Sequence, residues 1–336
     1  MNSKELVLFS AIGEEVPRIP VVPLIGIHAA RISRINPIEA LFKSSEKQAN
    51  SLIYAFNYYK YDGIFHYMDL TVEAEAIGCK IEEKGGVPTV VKGANIDEVE
   101  KNLPLNPKKD GRLHIFSDTI RRVRELRDIP VGAYITGPFT LTGHLMGVDT
   151  LMLSLLEDEE YVKEVMDVCT DLVLPYLDEL VDSGADIITI LEPTASSSII
   201  SPEFFKKFVV RYVKKIVKSI YMRDVLSCLH ICGNTTPIIE DMCDTKANIL
   251  SIDGDVDIMY AIKKANRKNV AIFGNIHPTR ILLDGNTEDV RNAVKGCIKV
   301  AHDTLFILSS GCEVPYDAPE ENILEMVKIA KTMLRD

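Results

Sequence analysis

The chain has 336 residues, 46% of them apolar, and its 38 Lys+Arg against 49 Asp+Glu give a formal charge of −11. That acidic balance argues against nucleic acid or an anionic membrane as partner, since both select basic surfaces, and no apolar run approaches the roughly 18 residues of a membrane span. Seven scattered cysteines do not form a disulfide framework, and the acidic, briefly apolar start is no secretory signal, so the expected compartment is the cytosol.

In chain order, short runs rich in Val, Ile and Leu recur at 19–25, 63–68, 129–135, 186–191, 224–231, 248–253, 270–274 and 304–309. Each is nearly continuous in its apolar character, as strands of a parallel sheet covered on both faces should be. The segment 71–109 is too long for a simple connection. Its Gly85-Gly86 pair and the run Thr89-Val90-Val91 predict a hairpin laid over one mouth of the fold. Helical patterns fill the remaining intervals. The stretch 151–183 divides at the acidic run 157–160, and its second part places Val162, Val165, Cys169 and Leu172 on one helix face. Ser201-Pro202-Glu203 opens a helix reaching about residue 223, and further helices are expected over 287–303 and 320–334. Eight strands alternating with helices predict one domain over 1–336, an α/β fold of the (β/α)8 TIM-barrel type with an N-terminal and hairpin embellishment. An open doubly wound sheet fits less well, because no Gly-x-Gly-x-x-Gly or Gly-Lys-Ser/Thr loop is present.

The chemistry-bearing residues gather at strand ends. His230 and Cys232, in Leu229-His230-Ile231-Cys232-Gly233-Asn234, share one side of the fifth expected strand because their spacing is two. Imidazole plus thiolate is half of a zinc site. Cys312 follows the eighth strand and Asp253 ends the sixth. In a barrel these ends meet at one mouth, so His230, Cys232, Cys312 and Asp253 form an expected metal set. Glu192, after the fourth strand, faces the same mouth as a substrate-ordering group, a partner for His230, or a helix cap. Asp69 and Glu73, after the second, serve the site or a helix start. His277 is read as a loop histidine, Cys228 as a packed thiol, and Cys79, Cys169, Cys243 and Cys297 as core or incidental.

Several stretches resemble a known family: residues 11–20, the run from Met68-Asp69-Leu70-Thr71 to Cys79, Thr136-Gly137-Pro138-Phe139-Thr140-Leu141, Gly184-Ala185-Asp186, Glu192-Pro193, 201–208, 229–234, Gly274-Asn275-Ile276 and Ser310-Gly311-Cys312. On these the chain resembles the uroporphyrinogen decarboxylase superfamily, and within it the zinc-dependent corrinoid-protein:coenzyme M methyltransferases. The resemblance implies zinc on His230, Cys232 and Cys312. Asp253 corresponds to an acidic ligand of the distantly similar cobalamin-independent methionine synthases, and Glu192 and Asp69 match family positions as candidate catalytic residues. It also implies a methylated corrinoid (methylcobalamin type) presented by a partner protein, and a small thiol such as coenzyme M as acceptor. Three alternatives stay open: a carboxylate decarboxylase, transfer to another acceptor such as tetrahydrofolate or another thiol, and a non-enzymatic scaffold stabilised by zinc. The decarboxylase branch grips its substrate with an arginine-rich N-terminal loop, where this chain reads Gly26-Ile27-His28-Ala29-Ala30-Arg31 and keeps one arginine.

Overall fold

The structure, a computed structural model, describes residues 1–101 and 103–333. Seven of the eight expected strands form one parallel sheet in the order β1 (Ile64–Phe65), β4 (Val131–Thr136), β5 (Ile187–Leu191), β6 (Leu226–Ile231), β7 (Ile249–Ile252), β8 (Ala271–Ile276) and β9 (Phe306–Ser310). The remaining two strands, β2 (Lys80–Lys84) and β3 (Val87–Lys92), make the expected antiparallel hairpin. Gly85 and Gly86 both take positive φ at its tip, as a two-residue turn of this hand requires.

The exception is the stretch 19–25. Pro20 and Pro23 have no N–H to give a ladder, so it stays extended and forms only an isolated bridge between Val21 and Leu308. It closes the barrel all the same. Val22 N–H donates to the Leu308 carbonyl at 2.8 Å and Leu308 N–H to the Pro20 carbonyl at 2.9 Å. On its other side Asp62 N–H, just before β1, donates to the Val21 carbonyl at 2.8 Å. The architecture is thus a (β/α)8 barrel in which one staves' position is filled by a proline-interrupted segment.

Strand side chains alternate between two packed layers. Leu24, Phe65, Tyr134, Ile187, Leu191, Cys228, Ile249, Phe273 and Ile307 fill the barrel, and Val7 of the N-terminal helix Ser3–Ile12 joins that cluster. That helix is tied to the start of β4 by Lys4 N–H donating to the Asp128 carbonyl, so it closes the N-terminal face and leaves the opposite mouth for chemistry. The helical stretch 151–183 breaks where its acidic run predicts. Asp158 ends the helix Val148–Glu157, and its carboxylate accepts from Tyr161 N–H to cap Glu159–Asp182. Ser201 caps Pro202–Phe204 in the same way, and the chain continues through 205–209 into Val210–Tyr221. The last two helices run Thr287–Val300 and Glu320–Thr332; Leu334, expected to end the last, lies outside the described residues. Among the described residues no single helix is long and apolar enough to cross a membrane.

Candidate metal centre at the mouth of the barrel

Parallel pairing sets the site. His230 on β6 stands in register with Ser251 on β7, and Cys232 follows two residues on, past the end of β6. Cys312 follows β9 by two residues. His230 Nε2 lies 3.1 Å from Cys232 Sγ, and Cys232 Sγ lies 3.5 Å from Cys312 Sγ. All three donor atoms fall within 4.8 Å of one another. A tetrahedral zinc with bonds of about 2.0–2.3 Å would set such donors roughly 3.6–3.8 Å apart, so the His230–Cys232 and Cys232–Cys312 separations each fit that ion within about half an ångström. The Cys312 thiol is pushed well above its ordinary range, first by its contact with Cys232 and second by burial, so it keeps its proton unless a cation offsets both.

Ser251 was not foreseen. Its Oγ stands 2.9 Å from His230 Nδ1. With Nδ1–H donating to that oxygen, the Nε2 lone pair faces the two sulfurs, the tautomer a metal needs. A serine two residues before Asp253 in the otherwise apolar Ile249-Leu250-Ser251-Ile252 was the available signal.

Asp253 is placed differently from the other three. Its Oδ2 accepts the Gly233 N–H at 2.9 Å, and its carboxylate groups with Asp255 and His277 instead of the thiols. That second group is internally satisfied. Arg280 bonds Asp255 at 2.6 Å, and His277 Nδ1 accepts from Thr279 N–H and Arg280 N–H, capping the segment that follows. An Nδ1 that accepts leaves the proton on Nε2, so His277 presents no free lone pair.

The acids on the β1–β4–β5 side turn toward the scaffold. Glu192 is wholly buried and accepts Phe139 N–H at 3.0 Å, Thr140 N–H at 2.8 Å and the Thr140 hydroxyl at 2.8 Å. These are unpaired donors at the start of the helix Pro138–Met146, a natural anion seat. A Cβ at Gly137 would lie 2.2 Å from Glu192 Cδ, which is why that position carries no side chain. Burial raises the Glu192 carboxyl to about 7 against the pull of those bonds. Its backbone N–H donates to the His230 carbonyl; its side chain bonds only the Phe139-Thr140 turn. Asp69 accepts Thr71 N–H at 2.8 Å, the Thr71 hydroxyl at 2.7 Å and Arg112 Nη1 at 2.7 Å. Arg112 is further held by Glu75 and stacks over Phe42, 4.4 Å from the ring centre. Glu73, raised to about 7 by burial, takes Thr136 N–H and its hydroxyl. His66 Nε2 takes Tyr134 N–H at 3.0 Å, so two side chains satisfy the upper part of β4 where β1 is too short to reach.

Beside Cys312, Glu313 accepts Met68 N–H at 3.1 Å and Ile27 N–H at 3.2 Å, joining three loops of the mouth. Burial raises it to about 7. Cys228 is buried beneath His230 with its thiol pushed up to about 12, and Cys79, Cys169, Cys243 and Cys297 are buried as well.

The profile of the uroporphyrinogen decarboxylase (URO-D) family matches residues 2–333. The chain belongs to this family. A methylcobamide:CoM methyltransferase, MtbA, of Methanosarcina acetivorans is 36% identical over 269 residues, 78% of this chain and 77% of that protein. A uroporphyrinogen decarboxylase of Aquifex aeolicus is 23% identical, covering 99% of both chains. Among solved structures, a methyltransferase from Methanosarcina mazei superposes with a TM-score of 0.90 at 23% identity, covering 99% of each chain, a likeness of fold.

Proposed function

We propose that this member of the family is a methyltransferase that moves a methyl group from a methylated corrinoid, carried by a partner protein, to a small thiol of the coenzyme M type. The observation that carries this reading is the cluster of His230, Cys232 and Cys312, three donors that zinc favours, with their ligand atoms turned toward one another. The 36% identity to the Methanosarcina acetivorans relative supports it. So does the N-terminal loop, where His28 is bound to Tyr59 and the Tyr316 carbonyl, and Arg31 to the Ala318 carbonyl and Asp317. A decarboxylase's polycarboxylate would find no arginine cradle there.

His230, Cys232 and Cys312 would hold zinc, which when bound lowers the pKa of a thiol beside it enough to deprotonate it at neutral pH. His230 contributes a neutral nitrogen whose direction Ser251 fixes, and the two cysteines contribute two negative charges that balance the ion's two positive ones. An acceptor thiolate then keeps its electron density and its nucleophilicity, which a more cationic ligand set would drain. The new bond joins sulfur to the methyl carbon, the carbon–cobalt pair stays on the departing corrinoid, and the thiol proton passes to solvent. The barrel's part is to hold the acceptor at one place for that in-line approach. Asp253 acts here as a brace for the Gly233 turn; Glu192 and Asp69 act through the scaffold. The enzyme works in the cytoplasm, where its free cysteines stay reduced.

Zinc content and thiol-dependent demethylation of methylcobalamin test the reading in wild type and Cys312→Ser. About one zinc per chain in the wild type, with metal lost and transfer slowed at least about hundredfold in the variant, is expected. Wild-type metal content and rate in Cys312→Ser would overturn it.

A further inference from the structure

Cys312 lies two residues past β9, at the seam where the barrel's ladder is thinnest. The neighbour of β9 there is the stretch 19–25, which Pro20 and Pro23 limit to the Val22 and Leu308 bonds. The next strand round, β1, is only two residues long. Beyond the ladder, other contacts hold the chain. Leu24 N–H donates to Ser310 Oγ at 3.0 Å, and Val314 N–H donates to the Leu24 carbonyl at 2.8 Å, so the turn carrying Cys312 is tied down on either side of the thiol. Between these ties stands Glu313. Its Oε1 accepts Ile27 N–H at 3.2 Å and Met68 N–H, from the loop after β1, at 3.1 Å, so one oxygen closes the seam that neither strand closes. Gly26 makes its seat: φ there is +43°, and a Cβ would lie 1.6 Å from that oxygen.

We infer that Glu313 is the positioning residue for Cys312, its carboxylate holding the thiol at binding distance from Cys232; this rests on the reading above that His230, Cys232 and Cys312 hold zinc. Three observations lead there. Glu313 adjoins Cys312 in the chain, so an anchored carboxylate restricts the backbone that carries a thiol set 3.5 Å from Cys232 Sγ. The other cysteine is held in the same manner: the residue after it, Gly233, gives its N–H to Asp253 Oδ2 at 2.9 Å. Each thiol-bearing turn is thus fixed, one residue on, by a carboxylate that accepts backbone N–H groups. Finally, the rest of the loop is held from the same side. His28 Nδ1–H donates to the Tyr316 carbonyl at 3.0 Å, and Arg31 Nη1 to the Ala318 carbonyl at 2.7 Å, so the segment 24–31 spends its polar contacts on the loop 310–318. Such bracing matters because two thiols that close repel one another as they lose their protons. A turn fixed beforehand spares the ion the cost of ordering them.

The experiment loads the whole chain with Zn2+ or Co2+ and reads two quantities. One is Zn2+ affinity, by competition with a chromophoric chelator. The other is the thiolate-to-cobalt absorption per bound Co2+ at saturation, which counts the thiolates on the ion and is not moved by a general loosening of the fold. In Glu313→Ala, affinity should fall about ten- to hundredfold, the range for losing a group that orients a metal ligand. The absorption per cobalt should fall toward that of Cys312→Ser. Glu313→Gln keeps an oxygen able to accept both N–H groups, and should stay within about threefold of wild type with full absorption. Gly26→Ala pushes the carboxylate off its seat with Glu313 still present; it should reproduce the loss, and it decides the matter if Glu313→Ala does not fold. Wild-type affinity and absorption in folded Glu313→Ala or in Gly26→Ala would overturn the inference. So would an affinity loss at full absorption, or a Glu313→Gln as weak as Glu313→Ala, which would assign the effect to charge. A wild-type chain without thiolate-to-cobalt absorption would instead sink the zinc reading itself, and that control tells the two failures apart.

Discussion

The two sides of the barrel mouth use the same kinds of residue for opposite ends. On the β6–β7–β9 side, His230, Cys232 and Cys312 converge with their donor atoms turned to one another and a serine behind the imidazole. On the β1–β4–β5 side, Asp69, Glu73 and Glu192 are buried more deeply than the two half-buried cysteines, and each has its lone pairs taken by backbone N–H groups, threonine hydroxyls or Arg112. The difference teaches that position at a strand end does not make a residue available for chemistry; unspent hydrogen-bonding capacity does. Replacing a residue on the first side should therefore cost chemistry and spare the fold, and on the second side the reverse.

The largest effect expected on the second side is from Arg112→Ala. It strips the counter-charge from Asp69 inside the protein, where Arg112 and Asp69 side chains are 7% and 1% exposed. Removing one partner of a buried pair typically costs about 3–5 kcal/mol. Denaturant unfolding should show a loss of that order, while the fraction that remains folded binds a full complement of zinc. Loss of zinc from folded Arg112→Ala protein would erase the contrast between the two sides.

Glu192→Gln sharpens the comparison through pH. Burial raises the Glu192 carboxyl to about 7, from an ordinary value near 4.5. Between those pH values the folded chain keeps a proton that the unfolded chain has lost. The stabilisation is therefore complete below about pH 4.5 and is lost as pH rises through about 7. At 1.36 kcal/mol per unit, the stability of wild type relative to Glu192→Gln should fall by about 3 kcal/mol between pH 4.5 and 8. His66 and His144, both lowered to about 4 by burial, titrate alike in the two proteins and cancel. Unfolding curves at four pH values suffice, and a flat difference would mean that the helix N-terminus holds Glu192 ionised throughout.

How much of this could be read beforehand follows the same division. The barrel was legible because seven of the eight apolar runs are buried on both faces and read as parallel strands. The eighth, 19–25, has the apolar content of a strand, but Pro20 and Pro23 deny it the hydrogen bonds, so composition placed it in the barrel without making it a ladder. The hairpin tip was legible from Gly85-Gly86, whose positive φ values need glycine. The juxtaposition of His230, Cys232 and Cys312 was legible because strand parity and the shared mouth put them together without knowledge of any side-chain angle. The partners of Glu192 and Asp69 were not. Whether an acid at a strand end faces the mouth or turns back onto a helix start depends on where the Pro138–Met146 helix and Arg112 stand in space. Nor were Ser251 and Glu313 visible, since each matters through a neighbour fixed by register or by loop packing.

The smallest expected effect decides the boundary between the two sides, and it concerns Asp253. By sequence it belongs with the ligands; in the structure its Oδ2 accepts the Gly233 N–H, one residue from Cys232. The conservative variant Asp253→Asn keeps an oxygen able to accept that bond and removes the charge. If Asp253 only braces the turn, zinc affinity should stay within about threefold of wild type, under about 1 kcal/mol, because the geometry of Cys232 is preserved. If the carboxylate swings onto the ion, losing its charge should weaken binding by tenfold or more, since a neutral amide is a poor substitute for an anionic oxygen on a divalent cation. Competition against a chromophoric chelator reads both ranges directly. A tenfold loss would move Asp253 across the line, from the residues whose capacity the scaffold has used to those it has left for the metal.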